Sequence, residues 1–269
     1  MKASVIISFY NNVAWLKLVL AGFSRQSEQD FEVIIADDGS RAEVVREVKG
    51  MCNDHIRHLW HEDLGWRKNS ILNKAIRSSK ADFLIFIDGD CIPHQHFVRD
   101  HLAAKKAGIV NAGRRVMLSL NLTEKLSAES ILEGQLNQLL MPLFKATLRG
   151  EKVLLSKHFR LQKRSLRKLL RVKSGGLKGC NWSVLKQDIE RINGFDERYQ
   201  NPTIGEDDDL EYRFGLLGIA VIRLRFSGIL YHCHHALLSR VQPENKRLFQ
   251  SVKEQKEPFT PYGLEKTTA

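Results

Sequence analysis

Cysteine is scarce in this chain, with four in 269 residues, and Cys52, Cys91, Cys180 and Cys233 lie far apart with no C-x-x-C pair. That spacing argues against a disulfide framework and against a zinc cluster. No run approaches the roughly 20 apolar residues of a membrane span. The first apolar stretch, 3–9, is short and runs straight into Tyr10-Asn11-Asn12, which is not the pattern of a secretory signal. The expected address is therefore cytoplasmic, with peripheral attachment to the inner face of the cytoplasmic membrane as the variant to consider. Internal repeats and long linkers are also missing.

Negative charge is the other shortage. Lys and Arg number 42 against 31 Asp and Glu, a formal charge of +11. The excess is local: residues 145–173 hold eleven Lys/Arg and one Glu, so the other 240 residues carry only +1. The inference of nucleic-acid binding that such a charge invites would rest on that segment alone, and no recognised motif or set of stacking aromatics accompanies it. Hydrophobic residues at 43% and charged residues at 27% suit a globular chain with a sizeable core, which excludes disorder of the whole.

The first half alternates apolar runs at 3–9, 31–36, 55–60, 83–87 and 108–112 with stretches of helical periodicity at 13–25, 41–52, 67–79 and 94–106. Such alternation predicts an α/β fold with a mainly parallel central sheet flanked by helices, and ligands beyond the carboxyl ends of the strands. Those ends carry Ser8-Phe9-Tyr10-Asn11-Asn12, Asp37-Asp38-Gly39-Ser40 and Asp88-Gly89-Asp90. None is a Gly-x-Gly-x-x-Gly or a Gly-x-x-x-x-Gly-Lys-Ser/Thr loop, which argues against a nicotinamide enzyme and a P-loop nucleotidase. Further along, helices are expected at 123–144 and, as a basic helix, at 151–172. A strand after Cys180, helices at 186–192 and from 205, and strands at 220–224 and 228–231 complete the reading.

Three clusters carry chemistry. Asp88 and Asp90, one residue apart, offer hard oxygen ligands to a Mg²⁺ or Mn²⁺ ion, although an isolated Asp-x-Asp is also an ordinary polar turn. Glu206-Asp207-Asp208-Asp209 places four acids in succession, more than helix capping requires, and mutual repulsion can raise one of them into the range of a general base. Tyr231-His232-Cys233-His234-His235 follows an apolar strand, and His232 and His234 would share a face if the strand continued.

Taken in order, these pieces resemble the inverting glycosyltransferases of family 2, with a C-terminal portion similar to the β-galactosyltransferase type. The resemblance rests on Ser4-Val5-Ile6-Ile7-Ser8-Phe9-Tyr10-Asn11, Ala36-Asp37-Asp38-Gly39-Ser40 and Ile87-Asp88-Gly89-Asp90. Gly179-Cys180-Asn181-Trp182-Ser183, Asn193-Gly194-Phe195-Asp196-Glu197 and Gly205-Glu206-Asp207-Asp208-Asp209 continue it. It covers roughly 3–110 and 175–235. The Trp-Gly-Trp-Gly of vertebrate-type galactosyltransferases is replaced by Gln200-Asn201-Pro202-Thr203-Ile204-Gly205, so an N-acetylglucosamine acceptor does not carry over.

The resemblance implies a single GT-A domain with a basic helical insertion: a nucleotide-sugar half at 1–120, the insertion at 121–176, an acceptor and catalytic half at 177–235 and a tail at 236–269. It implies a UDP-sugar donor, with galactose or N-acetylgalactosamine favoured, a glycan or glycolipid acceptor as in polysaccharide or lipopolysaccharide synthesis, and Mn²⁺ or Mg²⁺. Asp38 and Ser8 would meet the uracil, and Lys68 or Arg67 the diphosphate. Asp90, with Asp88 direct or behind it, and His232, with His234 as the alternative, would hold the metal. Asp207 would be the base, with Glu206 and Asp208 placing the acceptor. A sugar-phosphate nucleotidyltransferase and a non-catalytic UDP-sugar-binding protein are the competing functions. Residues 145–173 are a candidate surface for an anionic membrane, or else a solvated helix covering the core.

Overall fold

Strands β1 (Ala3–Phe9), β2 (Phe31–Asp37), β3 (Ile56–Trp60) and β4 (Phe83–Asp88) lie in parallel in the order β3-β2-β1-β4. β1, β2 and β4 read as nearly unbroken apolar runs because each feeds two cores. Val5, Ile7, Val33, Ile35, Ile85 and Ile87 join helices α1 (Val13–Ser24) and α2 (Ala42–Gly50) on one side. Ile6, Ile34, Leu84 and Phe86 pack with α3 (Lys68–Ser78) on the other. At roughly 1.5–3 kcal/mol for each large side chain buried, this double burial is the main force fixing the strand register.

The computed structural model describes residues 1–150, 158–161, 172–173, 176–202, 206–236 and 241–266. The main sheet continues from β4 through β9 (Asn181–Leu185), β6 (Ile109–Ala112), β10 (Ala220–Arg223) and β8 (Val172–Lys173). β9 runs antiparallel to both β4 and β6, and β10 runs parallel to β6. A smaller sheet has the order β5-β11-β7, from β5 (Cys91–Pro93), β7 (Arg114–Met117) and β11 (Ile229–His232). The chain moves outward from β1 to β2 and β3, then returns through α3 to β4 on the opposite side of β1, which creates a switch point at the carboxyl ends. Register sets Phe9 beside Asp37 and Ser8 beside Asp88, so the polar strand ends stand together.

Two readings change. The single helix expected at 123–144 is instead α4 (Leu120–Glu124), α5 (Ala128–Leu132), a 3-10 turn (Gln135–Gln138) and α6 (Leu140–Leu148). Ser119 and Ser127 cap new helix starts by accepting from the N–H groups of Leu122 and Ser130, and Gly134 at φ +99° separates α5 from the turn. The segment expected as a tail contains a helix, Pro243–Gln255, which opens on a proline suited to the first turn. The basic helix expected at 151–172 falls almost wholly outside the described residues, and with it the membrane reading of 145–173.

The helix Glu206–Leu216 is fixed by a buried cation. Arg213 is 1% exposed and donates to Asp209 at 2.6 and 2.8 Å, to the Ile192 carbonyl at 2.6 Å and to the Gly194 carbonyl at 2.9 Å. The turn it grips is itself clamped from both sides. Asn73 on α3 donates to the Phe195 carbonyl at 2.8 Å and accepts from its N–H at 2.9 Å, while Asn193 binds the backbone of Thr260 and Glu265. Asp209 is thus a structural acid in the middle of a reactive cluster. Replacing it strands the guanidinium, so Asp209→Ala is expected to lower unfolding free energy by about 3–5 kcal/mol, measured by urea denaturation; a loss well below that range contradicts this role.

Candidate active site

Beyond the carboxyl ends of β1, β2 and β4 lies a cavity of about 470 Å³. Its floor on the β2 side is the Asp37-Asp38-Gly39-Ser40 turn. Asp37 is turned inward, with Oδ1 accepting from the Ser40 N–H at 2.9 Å and Oδ2 2.8 Å from His58 Nε2. Asp38 lines the cavity, its carboxylate 2.7 Å from His61 Nε2 and accepting from the Arg67 N–H at 3.0 Å. Burial pushes the Asp38 carboxyl above its ordinary range, against the opposing pull of His61 and the Arg67 N–H. Gly39 has φ +91°, and a Cβ there would stand 2.6 Å from the Asp63 Cα, so the close packing of the following loop onto this turn requires glycine. That loop brings Trp66 to the cavity wall, with its buried Nε1 lacking a partner among the described residues.

Asp88 and Asp90 face different neighbours. Asp88 Oδ1 accepts from Ser8 Oγ at 2.7 Å and lies 3.3 Å from Lys68 Nζ. Asp90 Oδ2 lies 3.1 Å from His235 Nε2 and 3.5 Å from His232 Nε2, while Oδ1 accepts from the Cys91 thiol at 3.0 Å. Burial opposes ionisation of Asp90, but His235, His232 and Cys91 outweigh it and hold the carboxyl low. Burial pushes His232 down, whereas the hydrogen bond to Asp90 pulls His235 up. One ligand atom from each of Asp90, His232 and His235 lies within 4.8 Å of the others. One carboxylate and two imidazoles form a donor set suited to Mn²⁺, with coordination positions left for a ligand.

Lys68, the first residue of α3, joins this half to the acidic helix. Its ammonium donates to Glu206 Oε1 at 2.8 Å and pairs with Asp88 at 3.3 Å. Burial alone would lower its pKa, but Asp88, Glu206 and Asp207 together raise it well above the ordinary lysine range. The attraction of the neighbouring acids thus outweighs the burial that would otherwise discharge the ammonium. Asp207 Oδ2 accepts from the Gly179 N–H at 2.7 Å. Burial first, then the Glu206 charge, pushes the Asp207 carboxyl up to about 7 in spite of Lys68 and that N–H. A Cβ on Gly179 would meet Asp207 Oδ1 at 2.6 Å, so this approach also needs glycine.

Ser8, Lys68 and Asp88 line both the large cavity and a small recess that contains Glu206 and Asp207. Among the residues expected from the sequence, Ser8, Asp38, Lys68, Asp88, Asp90 and His232 therefore meet at one cavity, with Glu206 and Asp207 adjoining it. Ser8 is held by Asp88. The Arg67 side chain turns away to the Glu62 carbonyl at 2.7 Å and contributes its backbone N–H to Asp38. Asp208 is exposed. His234 is exposed, and its N–H donates to Thr123 Oγ1; His235 joins Asp90 instead, because β11 ends at His232 and strand alternation goes no further. His61 and Trp66 are additions that no spacing rule signals, since both depend on a loop folding back over the β2 turn.

Known proteins are similar to this chain in sequence and in fold. Residues 4–171 match the family described as glycosyl transferase family 2, and residues 163–236 match the N-terminal domain of galactosyltransferase. The validoxylamine A glucosyltransferase of Streptomyces hygroscopicus subsp. jinggangensis is 36% identical over 105 residues, covering 38% of this chain and 25% of that protein. The chondroitin synthase of Pasteurella multocida is 27% identical over 241 residues, covering 85% of this chain and 24% of that protein. The chain thus spans about a quarter of the length of these relatives. Among solved structures, GalNAc-T7 with UDP, GalNAc and Mn²⁺ superimposes with a TM-score of 0.64 at 14% identity, over 95% of this chain and 49% of that one. S. aureus TarS 1-349 in complex with UDP-GlcNAc gives 0.60 at 16%, over 95% and 65%. With the family match extending over more than half of its length, this chain belongs to glycosyltransferase family 2 and has the GT-A fold.

Proposed function

We propose that this protein is an inverting glycosyltransferase that moves a hexose or N-acetylhexosamine from a UDP-sugar to a hydroxyl of a glycan or glycolipid. The observation that carries the reading is the carboxyl of Asp207, raised to about 7 and set in a recess that shares Ser8, Lys68 and Asp88 with the large cavity. A base with that pKa can remove a hydroxyl proton near neutral pH. The acceptor oxygen attacks the anomeric carbon as the bond to UDP breaks, and its proton passes to Asp207. Glu206 Oε2 is buried with no partner among the described residues, which suits a second hydroxyl of the acceptor. Asp38 suits the uracil N–H, and the orphaned Trp66 N–H suits an oxygen of the donor. Galactose or N-acetylgalactosamine is the favoured sugar, supported by the galactosyltransferase match over 163–236.

Asp90, His232 and His235 fit a divalent cation, Mn²⁺ before Mg²⁺ because of the two imidazoles. When bound, such an ion supplies positive charge to a diphosphate leaving group, so no acid is needed there. Asp88, held by Ser8 and Lys68, then stands behind that group rather than in it. A nucleotidyltransferase would release pyrophosphate and a sensor would release nothing, whereas this reading requires release of UDP.

Three measurements test these assignments. Asp207→Asn is expected to lower transfer by about 10²–10⁴-fold with UDP affinity little changed, and substantial remaining activity rejects the base. Because the base must be ionised, wild-type turnover should rise with pH to an acidic limb at about 7. Glu206→Gln removes a charge that raises Asp207 and should move that limb to lower pH. In Mn²⁺ titrations followed by electron paramagnetic resonance, His232→Ala and His235→Ala should each weaken binding by at least about tenfold. His234→Ala should not; equal loss in all three contradicts the ligand set.

A further inference from the structure

A second pocket, of about 360 Å³, shares no lining residue with the donor cavity. It forms by the same rule. β6 and β10 are parallel, with Ala112 beside Arg223, so the segments leaving their carboxyl ends run out together. They bring Arg114, Arg115, Arg223 and Arg225 to the pocket wall, and the loop before β9 adds Lys178. Among the described residues the lining holds these five cations and no carboxylate. The Arg114 guanidinium is stacked on Phe226 at 5.0 Å and donates to the Phe159 carbonyl at 3.1 Å, which aims it rather than leaving it to wander. Burial first, and then the like charge of Arg225, pushes Arg114 down to about 10.

The position of this pocket says what it serves. Lys178 lines it, and the next residue, Gly179, holds the Asp207 carboxylate by its N–H. The loop therefore has the candidate base on one side and the cationic pocket on the other. The donor diphosphate has its own cation, Lys68, and its own candidate metal site, in the other cavity. Resting on the glycosyltransferase reading above, we propose that the Arg114, Arg115, Lys178, Arg223 and Arg225 pocket binds a phosphate group carried by the acceptor, so that the acceptor is a phosphorylated glycan or lipid. Guanidinium forks suit phosphate oxygens, which they can engage in pairs, and a phosphate monoester brings a larger negative charge than a carboxylate.

Calorimetric titration of the full chain with inorganic pyrophosphate in EDTA tests this. Wild type and Lys68→Met should bind alike, while Arg223→Ser/Arg225→Ser should bind at least about tenfold more weakly. Both replaced side chains are exposed, so the melting temperature should change only as surface substitutions change it. Equal affinity in wild type and the double variant, or loss in Lys68→Met instead, overturns the site. Glucuronate binding as tightly as pyrophosphate overturns the choice of phosphate. Sedimentation with phosphatidylglycerol vesicles that the double variant loses puts the phosphate on a lipid-borne acceptor; sedimentation of neither protein, with pyrophosphate binding retained, puts it on a soluble one. UDP titration of the same wild-type protein is separate: failure to bind UDP overturns the nucleotide-sugar reading and leaves the pyrophosphate result standing.

Discussion

The ammonium of Lys68 is the point on which this site depends. Asp88 belongs to the strand that ends at the donor cavity, and Glu206 belongs to a helix more than a hundred residues later. Both are acids in a largely buried place, with Asp207 next to them, and without a cation between them the two halves would repel. Lys68 sits at the start of α3, which is pinned to the Asn193–Glu197 turn through Asn69 and Asn73, so its placement is decided by packing far from the charge. The same contact that joins the halves also sets their electrostatics. Lys68 lies between Asp88 and Glu206, whose charges raise its own pKa, and the Glu206 charge raises Asp207.

The division of labour among the acids follows from burial. Asp209, one turn from Arg213, is satisfied by a buried guanidinium and has no capacity left for a substrate. Asp208 is exposed. Asp207 is raised by its burial and by the like charge of Glu206, while the Gly179 N–H on one oxygen opposes the rise and holds the carboxylate in place. Four consecutive acids thus stand in different environments, and only these tell them apart.

Much of the fold was legible because β1, β2 and β4 are buried on both faces and leave unbroken apolar runs, while α2 and α3 have one buried stripe each. The strand-end motifs were legible for the same reason, since a polar residue after such a run stands at a sheet edge. What was not legible depended on breaks in periodicity. The 123–144 stretch keeps a helical pattern across Ser127 and Gly134, where caps interrupt it. The helix Pro243–Gln255 buries only Asn245 and Val252, too little to mark a face. His235 reaches Asp90 because β11 stops one turn earlier than alternation would carry it, and His61 reaches Asp38 through a loop whose path depends on Gly39 fitting against Asp63.

The second pocket extends the same logic to the acceptor. Carboxyl ends of parallel strands gather ligand groups on both sides of the 176–180 loop, acids and a lone lysine on one side, arginines on the other. The central claim, that Asp207 deprotonates an acceptor hydroxyl for direct displacement of UDP, has a stereochemical consequence, inversion at the anomeric carbon. Proton NMR of the product formed from an α-linked UDP-sugar reads it directly. The coupling constant at the new anomeric proton should report a β-glycoside formed with one UDP released per transfer, and an α-linked product would contradict the account.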